Sequence, residues 1–115
     1  MNRLFFAVGL SVASFAVSAY DGNLLYQWAR ANERVAAGTA TGTEPMDSGV
    51  FMGFVIGISN YMAASGVICF PKNAQNQQAL DVVDNYLHTH PERRTDDAVF
   101  IVNDAMRATF PCKRG

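Results

Sequence analysis

Residues 49–70 read GVFMGFVIGISNYMAASGVICF, 22 residues without a charge. That length fits a membrane span, and it also fits the central helix of a small bundle followed by a turn. In a helix, Gly49, Gly53 and Gly57 fall on one stripe at four-residue spacing. Such a stripe lets a second helix come close, in water or in lipid. The second half argues for water. Ser59, Asn60, Ser65 and Gly66 interrupt the apolar run; Asn60 would sit in hydrocarbon and Gly66 would break the helix before it finished crossing. No basic cluster or paired Trp/Tyr belt brackets the stretch. It therefore reads as a core helix, with the glycines serving close helix contact and Gly66 ending it. The competing reading, a membrane protein built on this stretch, predicts recovery in the membrane fraction.

Towards the N-terminus the chain begins MNRLFFAVGLSVASFAVSAY. Arg3 forms a short basic region, residues 4–17 an apolar region too short to span, and Val17-Ser18-Ala19 the small residues a signal peptidase reads. Residues 1–19 are thus predicted to be a cleavable secretory signal, with Tyr20 the first mature residue. Tyr20 rather than Cys follows the cut, so a soluble exported protein without a lipid anchor is expected. Residues 20–115 make one small domain of 96 residues. With 8 Lys and Arg against 10 Asp and Glu, the mature chain is mildly acidic and lacks the clustered cations of a phosphate-binding surface. Nucleic acid is excluded as a partner on that ground. Cys69 and Cys112 both survive cleavage, and in an oxidising compartment two cysteines most simply form one disulfide.

The rest of the mature chain reads as helices. Asp21 can cap a first helix in which Leu24, Leu25, Trp28 and Val35 share a face while Gln27, Arg30 and Arg34 point away, and Gly38 stops it. Residues 39–48 form a Gly/Thr/Pro-rich loop, and Asp47 or Ser48 can cap the central helix. Beyond Pro71, Leu80, Val83 and Leu87 form one stripe of an amphipathic helix, flanked by Ala79, Val82 and Tyr86. His90-Pro91 terminates it. Thr95 caps the last helix, Asp96 and Asp97 suit its dipole, and Val99, Val102, Met106 and Phe110 form a buried stripe ended by Pro111. No strand alternation is sustained. The expected fold is all-α: a small bundle of four to five helices stapled by one disulfide, Cys69 with Cys112.

Chemistry-bearing residues are sparse. Cys69 or Cys112 with His88 or His90 could make a nucleophile and its base, but an oxidised sulfur attacks nothing. His88 and His90, two residues apart near a helix end, point about 200° apart and do not easily share an ion. No third ligand stands at a recognisable spacing. Asp81/Asp84 and Asp96/Asp97 fit a helix surface and a helix start. Tyr26, Trp28 and Tyr61 could mark a pocket or an interface, with core the default for Trp28. These residues describe an exported helical binding protein: no enzyme, no cofactor, no metal.

The C-terminal half then supplies a pattern. Cys69-Phe70-Pro71, QALDVVDNYL at residues 78–87, His90-Pro91-Glu92-Arg93, Ala105-Met106-Arg107 and Phe110-Pro111-Cys112 resemble, in order and spacing, the Rap/Tai immunity family. Gly22-Asn23 with Leu25, and Gly53-Phe54 with Gly57, resemble its upstream segments. The resemblance implies an all-helical periplasmic immunity protein of type VI secretion. It implies a partner as well, a peptidoglycan amidase effector of the papain-like cysteine peptidase class, and a homodimer. Many relatives carry a further cysteine pair where this chain has Trp28 and Phe51, so packing of these two must hold the first helix here.

An element that obstructs an active site must protrude, so residues 89–97 and the loop at 39–48 are the expected contact regions. The candidate partner-binding residues are Glu44, Asp47, Glu92, Arg93, Arg94 and Asp96; the same charges would also serve as a solvated face. The alternative reading is a periplasmic stress or chaperone-like helical protein without an amidase partner.

Overall fold

Asp21 stands in an extended conformation with its carboxylate accepting the Leu24 N–H at 2.9 Å, and the chain turns helical behind it. The computed structural model describes residues 20–113; the predicted signal peptide lies outside them. Four α-helices follow in order: α1 (Gly22–Ala36), α2 (Glu44–Ala64), α3 (Asn76–Thr89) and α4 (Ala98–Thr109), with a short 3-10 turn, Pro91–Arg93, between the last two. Among the described residues there is no strand, only one isolated bridge between Asp21 and Asp97. The all-α fold and its single staple are as the sequence predicts.

Each boundary has a local cause. Gly38, in the left-handed region at φ 73°, lets the chain leave α1 while Thr39 N–H bonds back to the Arg34 carbonyl at 2.9 Å. α2 begins earlier than expected, inside the predicted loop: Pro45 has its φ preset for a first turn, and Glu44 and Asp47 lie at the positive end of the helix dipole. Asp47 and Ser48 are therefore helical residues, not caps. Gly66, φ 72°, ends α2 as expected. α4 departs from expectation in its cap: Asp97 occupies the N-cap, not Thr95. The first residues of the domain take that end over, with Ala98 N–H donating to the Tyr20 carbonyl at 2.7 Å and Gly22 N–H to the Asp96 carbonyl at 2.9 Å.

The core lies where all four helices meet, filled by Leu25, Trp28, Ala29, Phe51, Val55, Ile68, Leu80, Val83, Leu87, Ile101, Val102 and Met106. Trp28 and Phe51, expected to hold the first helix by packing, are both buried. Two expected core members are not: Val35, in the last turn of α1, is 41% exposed, and Val99 is 48% exposed because the buried stripe of α4 runs through Ala98, Ile101, Val102, Ala105 and Met106.

The glycine stripe expected to serve close helix contact faces away from the core. α2 buries Ser48, Phe51, Val55, Ser59 and Met62. Gly53 and Gly57 each follow a buried residue by two positions, about 200° around the helix, so they face outward. A Cβ built on Gly49, Gly53 or Gly57 would meet nothing within 4 Å among the described residues. These glycines make no close helix contact among the described residues.

Cys69 and Cys112 are bonded, with Cα atoms 4.8 Å apart. Cys69 lies in the connector beyond Gly66 rather than on α2. Beside the staple, Cys69 N–H donates to the Phe110 carbonyl at 2.9 Å and the rings of Phe70 and Phe110 meet edge to face at 4.9 Å. The disulfide thus fastens the α2–α3 connector to the end of α4. No helix among the described residues is long and apolar enough to cross a membrane.

Candidate functional site

The turn between α3 and α4 is built from two arginines. Arg94 donates from Nε and one terminal nitrogen to the Leu87 carbonyl, at 3.0 and 2.8 Å. That carbonyl is one of the four left over at the end of α3, so the guanidinium closes the helix. Its carbon lies 3.7 Å from the ring centre of Tyr26 on α1. Arg93 works across the turn: it pairs through Nε with Asp96, donates to the Tyr86 hydroxyl at 2.7 Å and to Asp104 on α4 at 2.8 Å. Its hydrogen bonds to these acids raise its own basicity and hold the Asp104 carboxyl below the usual range. Three of the predicted contact residues, Arg93, Arg94 and Asp96, are therefore occupied in shaping the turn. Glu92 stands exposed at its tip.

Glu44 and Asp47 are elsewhere. Glu44 pairs with Arg34 of α1 and accepts the Thr41 N–H at 3.0 Å; that backbone bond is the main reason its carboxyl lies below the ordinary range. They sit at the C-terminal end of α1, whereas the 91–97 turn abuts its N-terminal end. The fifteen residues of α1 separate the two patches by about 20 Å. The six charged residues make two surfaces, not one.

Two further features emerge only in three dimensions. The outward face of α2 presents Met46 at 67% exposure, Val50, Gly53, Gly57 and Tyr61 at 75% exposure, without a charge. Between α1 and α3, Glu33, Asp84 and His88 converge. His88 Nε2 lies 2.8 Å from Glu33 Oε1 and 3.4 Å from Asp84 Oδ1. Burial, with the hydrogen bond and charge of Glu33, pushes Asp84 up to about 6. Burial acts on Glu33 in the same direction, but hydrogen bonds to His88 and Asp84 outweigh it and hold that carboxyl low. The i,i+4 spacing of Asp84 and His88 is visible in the sequence; Glu33, 55 residues before His88, is not connected to them by any pattern. His90 points elsewhere, stacked on Tyr86 at 4.0 Å.

The 91–97 turn and the staple fall within one stretch of recognisable sequence, which begins at the helix cap Asp21. Residues 21–112 match the family model of the Rap1a immunity proteins. The chain belongs to the Rap1a immunity protein family. No curated protein and no solved structure matches it. As a Rap1a family member it is an immunity protein, directed against a secreted effector. The matched span contains both cysteines, the arginine-built turn and all four helices.

Proposed function

We propose that this chain is a periplasmic immunity protein that binds and blocks a type VI secretion amidase effector, a papain-like cysteine peptidase acting on peptidoglycan. The observation that carries the reading is the family match across residues 21–112. The disulfide supports an oxidising compartment. Export through a signal at residues 1–19 fits a domain whose residue Tyr20 already packs against Trp28 at 5.1 Å and accepts the Ala98 N–H.

Inhibition is by occlusion, with no bond made or broken. A blocking element works best when it is ordered before it binds, because ordering it at the moment of binding costs affinity. The 91–97 turn is preorganised by Arg93 and Arg94 and offers Glu92, while Glu44 and Asp47 form a second acidic patch. In a homodimer, the charge-free outer face of α2 is the surface that a second copy would cover.

The test is purification of the exported chain with the amidase encoded beside its gene. Co-elution and loss of peptidoglycan cleavage are expected, and Glu92→Lys should weaken inhibition at least tenfold without lowering the melting temperature. Absence of binding at micromolar concentrations to any amidase of the same cell would overturn the reading. Light scattering should give the mass of two chains for the native protein and of one for Gly53→Leu; a native protein that stays monomeric would remove the dimer. Intact mass of the exported form should begin at Tyr20 and be two protons short of the reduced chain.

A further inference from the structure

We propose that Glu33, Asp84 and His88 form a binding site for one divalent transition-metal ion of the zinc class, clamping α1 to α3. None of the three residues belongs to the 91–97 turn, and the site does not depend on the immunity reading. Each residue offers one donor atom, and the three atoms lie within 4.8 Å of one another. A tetrahedral ion with bonds of about 2.0 to 2.1 Å sets its ligands roughly 3.4 Å apart. The His88 Nε2 to Asp84 Oδ1 distance is already 3.4 Å, and the 2.8 Å approach of Nε2 to Glu33 Oε1 needs only a small opening.

The surroundings call for a cation. Asp84 Oδ1 is buried and has no hydrogen-bond partner among the described residues, although His88 Nε2 lies near it, because the geometry between them is not that of a hydrogen bond. Two carboxylates, Glu33 and Asp84, share this small space with one imidazole. A doubly charged ion would neutralise both and satisfy the orphaned oxygen. Asp84 and His88 are one turn apart on α3, held to one face by the helix itself. The ring of Tyr26 meets His88 edge to face at 5.3 Å and fixes the imidazole against α1. Glu33 and His88 are each about two-fifths exposed, which leaves a route in and a fourth position for water.

The donor set selects the metal. One imidazole nitrogen with two carboxylate oxygens suits zinc or nickel, whereas magnesium and calcium prefer oxygen alone and more of it. No redox or covalent chemistry is implied; the ion bridges two helices.

The experiment is calorimetric titration of the mature, disulfide-bonded chain with zinc chloride in phosphate-free buffer near neutral pH. One ion per chain is expected, with a melting temperature raised by several degrees at a hundredfold excess over Kd. Glu33→Gln, Asp84→Asn and His88→Gln should each weaken binding at least tenfold, and His90→Gln should leave it unchanged. Should a variant misfold, X-ray absorption of the zinc-loaded native chain decides: a shell of nitrogen and oxygen with a single imidazole is expected. Sulfur or two imidazoles in that shell, no binding up to millimolar zinc, affinity unaltered in all three folded variants, or magnesium binding as tightly as zinc would each overturn the site.

Discussion

Gly22 shows how little room one residue can have. A Cβ at this position would lie 2.3 Å from Ile101 Cδ1 and 2.7 Å from the Arg94 Cα, the second a backbone atom that cannot turn aside. Gly22→Ala should therefore force α1 away from the 91–97 turn and cost about 2 kcal/mol, read as a lower denaturant midpoint at unchanged slope. A loss under 0.5 kcal/mol would mean that the approach is looser than described. Gly49→Ala is the opposite case: it sits within a helix, has nothing within 4 Å, and should stabilise the monomer by about 0.5 to 1 kcal/mol. Sequence alone places Gly22 and Gly49 in helices but cannot rank them. What crowds Gly22 comes from residues more than seventy positions later, and what frees Gly49 is the absence of any neighbour on that side.

At the level of elements, the 91–97 turn and α2 fail to be legible for different reasons. His90-Pro91 correctly ends α3, because proline restricts the residue before it. Charged residues nearby read as solvated or partner-facing, yet Arg93 and Arg94 are used internally, since a helix end leaves carbonyls that need donors and only the fold brings Leu87 and Asp104 within reach. The Arg93–Asp104 pair gives a pH dependence with a definite sign. The folded Asp104 carboxyl lies below its unfolded value, so its contribution is present above the ordinary carboxylate range of about 4 and is lost as pH falls through it. Solvent screens the pair, and Asp104→Asn should cost only about 0.5 to 1 kcal/mol at pH 7 and nothing in strong acid, as followed by thermal melts across pH. Arg93→Ala removes three contacts together and should speed amide exchange through residues 90–98 while α1 stays protected. α2 is hydrophobic on all sides, so periodicity does not say which side is buried. The glycine stripe therefore suggested an inner seam, whereas Phe51, Val55 and Met62 supply that seam on the opposite face.

For the molecule as a whole, stability should depend strongly on the staple. The bridge closes 43 residues, and in the chain-entropy picture its removal from a domain this small costs about 3 to 4 kcal/mol. Cys69→Ser with Cys112→Ser should lower the unfolding free energy by that amount while keeping the helical spectrum, because the Cys69 to Phe110 backbone bond and the Phe70–Phe110 contact survive it. An unfolding free energy unchanged within 1 kcal/mol would assign those contacts the whole task. Local rules determined the helices, their stops at Gly38, Gly66 and Pro91, the all-α class and the pairing of two cysteines, since caps, periodicity and cysteine number act over a few residues or by count. Residues 49–70 also declared themselves as a core helix, although its start moved back to Glu44. Tertiary structure decided the rest: that Gly49, Gly53 and Gly57 face outward, that Asp97 rather than Thr95 begins α4, and that Glu33 meets Asp84 and His88. Each of these depends on which face of one helix another helix occupies, and that is settled by packing the four apolar stripes together at once.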